Sequence, residues 1–276
     1  MKKRNFIVIV VVVAALIFPI RQAAINLFAE KSEPILADKI DDGEDLDTNV
    51  NIDDIPLYDN NIEEVEDMTD YLLDTTFVDD SGKLILKNTD DILVLVNKRR
   101  NLPSDYKPSD LVIPDVKFSF DDIIDKRHLR KEAAHALEDM FREADNQNVI
   151  LYGVSGYRSY NTQNYLFENK VSKVGEEEAN LLVARPGQSE HQTGLAMDIS
   201  SKSANFSLIE DFGQTTEGQW VNENAHRFGF IIRYKRDTTD ITGYSFEPWH
   251  IRYVGVEVAT EIYERNITLE EFLGDA

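Results

Sequence analysis

The feature that most constrains this chain is the way charge is divided along its length. Between residues 30 and 80 lie nineteen acidic residues and two lysines, which supply most of the formal net charge of −22. Ile, Leu and Tyr are scattered through this stretch at no sustained period. Such a segment cannot bury enough apolar area to offset the entropy of ordering it. Residues 30–87 are therefore expected to form an acidic, largely disordered stem, with room for a short helix near residues 62–73. Residues 88–276 are closer to charge balance and are expected to form one folded domain. With 14 Phe, 11 Tyr and 2 Trp in the chain, a proper core is within reach. The acidic excess argues against nucleic acid as a partner, because phosphate binding needs a basic surface.

The first 29 residues form a third region. Lys2, Lys3 and Arg4 precede an apolar run over residues 6–20. A basic flank followed by an apolar segment is the pattern of an export signal whose charged end stays in the cytoplasm. The run is about fifteen residues, short of the roughly twenty that a spanning helix needs. It reaches that length through Leu27 and Phe28 if Arg21 snorkels to the interface. No clean small-residue cleavage site follows. A cleaved signal and an uncleaved membrane anchor both remain open, with a buried core helix as the third reading. The expected location is extracytoplasmic, with the protein either anchored in the membrane or secreted.

The chain has no cysteine. Disulfides, iron–sulfur clusters, thiolate metal sites and cysteine nucleophiles are thereby excluded, and any metal must be held by His, Asp or Glu. Along residues 88–276 the patterning predicts strands at residues 92–96, 149–155, 195–199, 230–234 and 249–254. Helices are predicted at residues 126–145, 161–172, 220–227 and 256–265, the second with Tyr165, Leu166 and Val171 inward, and Thr268 caps a terminal turn. Strands and helices interleave without a regular βαβ rhythm. The expected class is α+β, a small antiparallel sheet flanked by helices.

Two of the five histidines stand in settings that suggest chemistry. His191 lies in residues 189–198, SEHQTGLAMD, where Gly194 and Ala196 permit close backbone approach. Asp198 follows on an alternating strand, an apolar-lined place where a carboxylate is costly unless paired or metal-bound. A buried hydrogen-bonding aspartate is the bland alternative. His250 closes Glu247-Pro248-Trp249-His250, where the proline disfavours a regular helix. Two imidazoles and a carboxylate are a common ligand set for one catalytic zinc ion, with a fourth position left for water. A separate carboxylate must then move a proton, and Glu247 is the candidate.

The strings SEHQTGLAMD and EPWH resemble the SxHxxGxAxD and ExxH signatures of the D-alanyl-D-alanine metallocarboxypeptidases, in the VanY-like branch. That family also includes D-Ala-D-Ala dipeptidases. Residues 155–159 (SGYRS) with Gln163, residues 184–187 (ARPG), 228–230 (FGF) and 252–255 (RYVG) fit as well, so the likeness spans residues 92–262. The resemblance implies that His191, Asp198 and His250 hold zinc, with Glu247 as general base. It implies that Arg158 stabilises an oxyanion or holds the substrate's terminal carboxylate, and that Ser189 and Gln163 contact the C-terminal residue of the peptide. Tyr157 and Trp249 would wall the pocket or belong to the core. His226 reads as structural, while His128 and His135, both placed in the first helix, have no assigned role.

The implied activity is a zinc-dependent D,D-carboxypeptidase that removes C-terminal D-alanine from peptidoglycan stem peptides, acting as a monomer with the membrane reached through the N-terminal segment. An L,D-carboxypeptidase acting on tetrapeptide stems has the same ligands, because bond preference lies in pocket shape. A non-catalytic wall-binding protein on the same fold is the rival from another class. Its expected mark would be loss of Glu247 or of a ligand, and all are present.

Overall fold

The computed structural model describes residues 71–276; the apolar run of residues 6–20 and most of the acidic stem lie outside them. Structure begins earlier than composition predicts. Residues 71–87, read as the end of the stem, carry β1 (Thr76–Val78) and β2 (Leu84–Leu86), which join β3 (Arg100–Asn101) in a small sheet. Acidic composition obscures this hairpin, which is closed by local bonds such as Asp79 Oδ1 accepting from the Ser81 and Lys83 amides.

The apolar run at residues 92–96 is not a strand. Val94, Leu95 and Val96 are fully buried, but their stretch of backbone pairs with no sheet. The Arg252 guanidinium instead donates to the carbonyls of Ile92 and Val94 at 2.8 and 3.0 Å. Buried carbonyls need a partner, and a buried cation serves here in place of a neighbouring strand.

The next elements are β4 (Leu111–Val112), β5 (Leu129–Arg130) and helix α1 (Lys131–Asn146). The helix starts later than periodicity predicts, because residues 126–130 are engaged otherwise. The carbonyls of Lys126 and His128 accept from the amides of Gly156 and Tyr157, and the Arg130 amide donates to Gly194. His128 thus lies outside the helix and His135 within it. The apolar side of α1, with Ala133, Leu137, Met140 and Phe141, enters the main core.

After β6 (Tyr152–Ser155) come α2 (Tyr160–Val174), α3 (Glu176–Leu182), β7 (Ala196–Ser200) and α4 (Thr216–Asn224). The chain ends with β8 (Phe230–Tyr234), α5 (Thr239–Thr242), β9 (Glu247–Tyr253), α6 (Val256–Arg265) and α7 (Leu269–Phe272). Helix α6 matches its predicted bounds. Thr268 caps α7 through a reciprocal capping box with Glu271. Helix α2 buries Gln163 and Phe167, not the predicted Tyr165 and Leu166. Leu166 is exposed because it faces the cleft described below.

The central sheet has the order β6-β7-β9-β8, with every pair antiparallel. The α+β class and antiparallel sheet are as expected. Met197, Ile199, Ile251 and Tyr253 join α1 in one core, while Asp198, His250 and Arg252 alternate with them along the same strands. A second apolar cluster, including Leu95, Ile231, Ile262 and Leu269, seats the C-terminal helices. Among the described residues no helix is long and apolar enough to cross a membrane.

Candidate metal centre

Strand register assembles the centre. Asp198 pairs with Ser155 on one side and with His250 on the other, so three site residues form a row across β6, β7 and β9. His191 arrives from the 3₁₀ turn Glu190–Thr193, which ends on Gly194 at φ +67°. A side chain there would be strained and would meet Leu111 at 2.8 Å, so glycine is required. Gly156 matters for a different reason. Its carbonyl lies 2.8 Å from His191 Nδ1, and a Cβ at that position would sit 2.5 Å from the His128 carbonyl oxygen.

His191, Asp198 and His250 offer one ligand atom each, all within 4.8 Å of one another, and all three residues are buried. Asp198 lies between the rings, with Oδ2 3.3 Å from His191 Nε2 and Oδ1 3.0 Å from His250 Nδ1. The rings meet edge to face, their centroids 4.9 Å apart. Burial would raise the Asp198 carboxyl, but both histidines hold it well below the usual carboxylate range. Burial lowers His191. It would lower His250 too, but hydrogen bonds to Asp198 and Glu190 outweigh it and push that imidazole up to about 9. Two imidazoles and an ionised carboxylate converging on one point fit a divalent cation of zinc's preferences.

Glu247 opens β9, and its Oε2 lies 4.0 Å from His250 Nδ1. Residues three apart on a regular strand point to opposite faces. Here four steps of β9, from Glu247 to Ile251, span only two of β8, from Tyr234 to Ile232, and this irregularity around Pro248 turns both side chains into one cleft. Burial pushes Glu247 up to about 7, assisted by Asp198 and Glu190 and opposed by His250 and Arg158.

Arg158 is held by Ser155 Oγ and Gln163 Oε1, each at 2.9 Å, and its Nη2 is 3.9 Å from Asp198 Oδ2. The Gln163 amide lines the cleft and is bonded at both ends, because its Nε2 donates to the Ala184 carbonyl. The structure therefore makes Gln163 a prop for Arg158. Ser189 and Trp249 line the cleft of about 430 Å³ together with the predicted ligands, Glu247 and Arg158. Tyr157 does not. It is 3% exposed and belongs to the core side, and Tyr234 and Tyr244 supply aromatic wall instead. His226 stacks on Tyr263, away from the centre.

Sequence reasoning passed over Glu190, although it stands inside the quoted motif. It is 1% exposed, and its Oε1 accepts from Arg233 Nε at 2.8 Å and Arg252 Nη1 at 2.7 Å. Arg233 also makes a two-bond fork to Glu270 at 2.8 and 2.7 Å. An acidic residue between a serine and a histidine, with arginines at alternating places on apolar strands, was the available signal.

A model of the VanY D-alanyl-D-alanine carboxypeptidase family matches residues 126–256. The inferred carboxypeptidase YodJ of Bacillus subtilis (strain 168) is 51% identical over 208 residues, covering 74% of this chain and 76% of YodJ. Among solved structures, the L,D-carboxypeptidase LdcB is 52% identical with a TM-score of 0.70, covering 73% of this chain and 94% of LdcB. A zinc-bound variant of the D,D-pentapeptidase VanY from a VanB-type vancomycin resistance cassette is 36% identical with a TM-score of 0.55, covering 66% and 98%. Fold and site define a zinc metallocarboxypeptidase. This chain belongs to the VanY family, whose members act on peptidoglycan-related peptides.

Proposed function

We propose that this protein releases D-alanine from the C-terminus of peptidoglycan stem peptides by zinc-dependent hydrolysis. The observation that carries the proposal is the convergence of Glu247 and Arg158 on the His191–Asp198–His250 group within one cleft. His191 through Nε2, His250 through Nδ1 and Asp198 through its carboxylate are the groups that would hold the ion. Bound zinc supplies Lewis-acid polarisation and an acidified water. Glu247, raised toward neutrality by burial, accepts a proton and returns it to the departing amine. Arg158, fixed by Ser155 and Gln163, offers a planar donor fork to developing negative charge or to the terminal carboxylate. Ser189 and Trp249 bound the space for the last residue. Lys170 and Lys173 on α2 line the cleft and bring positive charge to an anionic peptide.

The likeness to LdcB, in both sequence and fold, supports an L,D bond in tetrapeptide stems as the preferred target. The D,D bond of pentapeptide stems, expected from the motifs, is the second reading and is supported by the likeness to the VanY D,D-pentapeptidase. Mass spectrometry of defined tetra- and pentapeptide muropeptides after digestion tests both. Faster loss of alanine from the tetrapeptide favours the first, faster loss from the pentapeptide favours the second, and cleavage of neither overturns the function. Export fits such a substrate, and the basic flank with its apolar run supports a site of action outside the cytoplasm. Cell fractionation of a tagged full chain should then place it in the membrane or wall fraction.

A further inference from the structure

His250 has two ring nitrogens, and the structure gives each a different acidic neighbour. Nδ1 lies 3.0 Å from Asp198 Oδ1, within the His191–Asp198–His250 group. Nε2 lies 3.3 Å from Glu190 Oε2. The other Glu190 oxygen is occupied by Arg233 and Arg252, and all three of these side chains are buried. Arg233 is further braced by Glu270, and Arg252 by the carbonyls of Ile92, Val94 and Tyr253. A carboxylate anchored in this way can neither rotate nor turn to solvent. It offers His250 one fixed acceptor.

We propose that Glu190 is a positioning residue for the metal centre, holding the proton of His250 on Nε2 so that the Nδ1 lone pair is free for the ion. A ligating imidazole needs its second nitrogen to donate to something, and that partner fixes both tautomer and ring orientation. The inference rests on His250 being a ligand. It deepens that reading by adding a residue that acts on the metal through His250.

The chemistry of Glu190→Gln makes the role testable. The amide keeps the size but has one acceptor for three donors: Arg233 Nε, Arg252 Nη1 and His250 Nε2. Turned to satisfy the arginines, it presents its NH₂ to His250. The imidazole must then accept at Nε2 and carry its proton on Nδ1, which blocks coordination there. Zinc affinity, read by competition with a chromophoric chelator, should fall about 10- to 100-fold. Glu270→Gln removes a carboxylate from the same ion cluster without touching His250, and its zinc affinity should stay within about threefold of wild type, the margin expected if only the partner of His250 matters.

If Glu190→Gln folds and binds zinc as tightly as wild type, or if both variants lose zinc equally, the role is overturned. Wild-type protein gives an independent measurement should Glu190→Gln fail to fold. With ¹⁵N-labelled histidine and zinc bound, the His250 proton should be found on Nε2; a proton on Nδ1 overturns the proposal. His250→Ala separates the two levels. Loss of zinc in that variant alone leaves the metal site standing and rejects only Glu190, whereas retention of zinc rejects both.

Discussion

Two buried polar clusters share His250 and are built on opposite plans. On the cleft side, His191, Asp198 and Glu247 leave ligand directions and a titratable carboxyl facing an open space. Behind it, Glu190, Arg233, Arg252 and Glu270 bond to one another and to backbone carbonyls, at 0–1% exposure. Its formal charges cancel, two guanidiniums against two carboxylates. A closed cluster of this kind contributes little net stability relative to an apolar core, since desolvation offsets much of the attraction, yet losing one member leaves a naked charge. The difference teaches where freedom is kept. The cleft side keeps ligand atoms and a titratable carboxyl turned toward open space so that they can react, and the rear cluster is closed on itself so that the groups in front cannot move.

The comparison can be broken most sharply on the cleft side. Glu247→Ala should lower turnover by about 10²- to 10⁴-fold, since only a proton relay is removed. Metal analysis of the same preparation should still find one zinc per chain. Retention of most activity would mean that the open cluster does its chemistry by another route.

On the closed side, Arg233→Met should lower stability by about 3–5 kcal/mol, because Glu190 and Glu270 lose a shared partner. Urea unfolding measures it. A loss below about 1 kcal/mol would show that the cluster relaxes freely, contrary to its complete burial.

The shared residue sets a pH dependence. His250 is pushed up to about 9 in the metal-free protein, above its ordinary 6.5. Its stabilising contribution to the metal-free fold is therefore complete below about 6.5 and is lost as pH rises through 9. Metal binding must displace that proton, so zinc affinity should rise with pH between 7 and 9, by up to about tenfold per unit, and level off above. Isothermal titration in two buffers of different ionisation enthalpy would count the released proton, and a flat profile would contradict the assignment.

The smallest effect belongs to Gly156→Ala. The added methyl meets the His128 carbonyl oxygen at 2.5 Å, and the carbonyl of residue 156 orients His191. Overpacking of this order costs about 1–3 kcal/mol. The thermal midpoint should fall together with zinc affinity, and a midpoint change alone would place the strain away from the metal side.

Much of this centre was legible in sequence, for reasons specific to each residue. His191, Asp198, His250 and Glu247 occupy settings where their chemistry would be costly without a purpose, and all four converge. Helix α6 was legible because its apolar face and its flanks, Gly255 and Asn266, agree. Tyr157 falls on the core side, the other of its two readings, whereas Gln163 lines the cleft and also braces Arg158. Residues 92–96 have the continuous apolar run of a buried strand, whereas Arg252, some 160 positions later, satisfies the carbonyls of Ile92 and Val94 in place of a neighbouring strand. Glu190 was hidden by the same long-range logic, since its partners at 233, 250 and 252 lie on strands that only the fold brings near.

The pairing of Asp198 with His250 has one more consequence. These residues are 52 apart in the chain and become neighbours only when β7 and β9 are zipped together. An unfolded chain therefore presents scattered donors and no chelate. On the export route proposed above, a polypeptide threaded across a membrane would arrive without its ion and collect it on the far side. Metal uptake would then mark the moment of maturation, and the supply of zinc in that compartment, not in the cytoplasm, would decide how much of the protein becomes active.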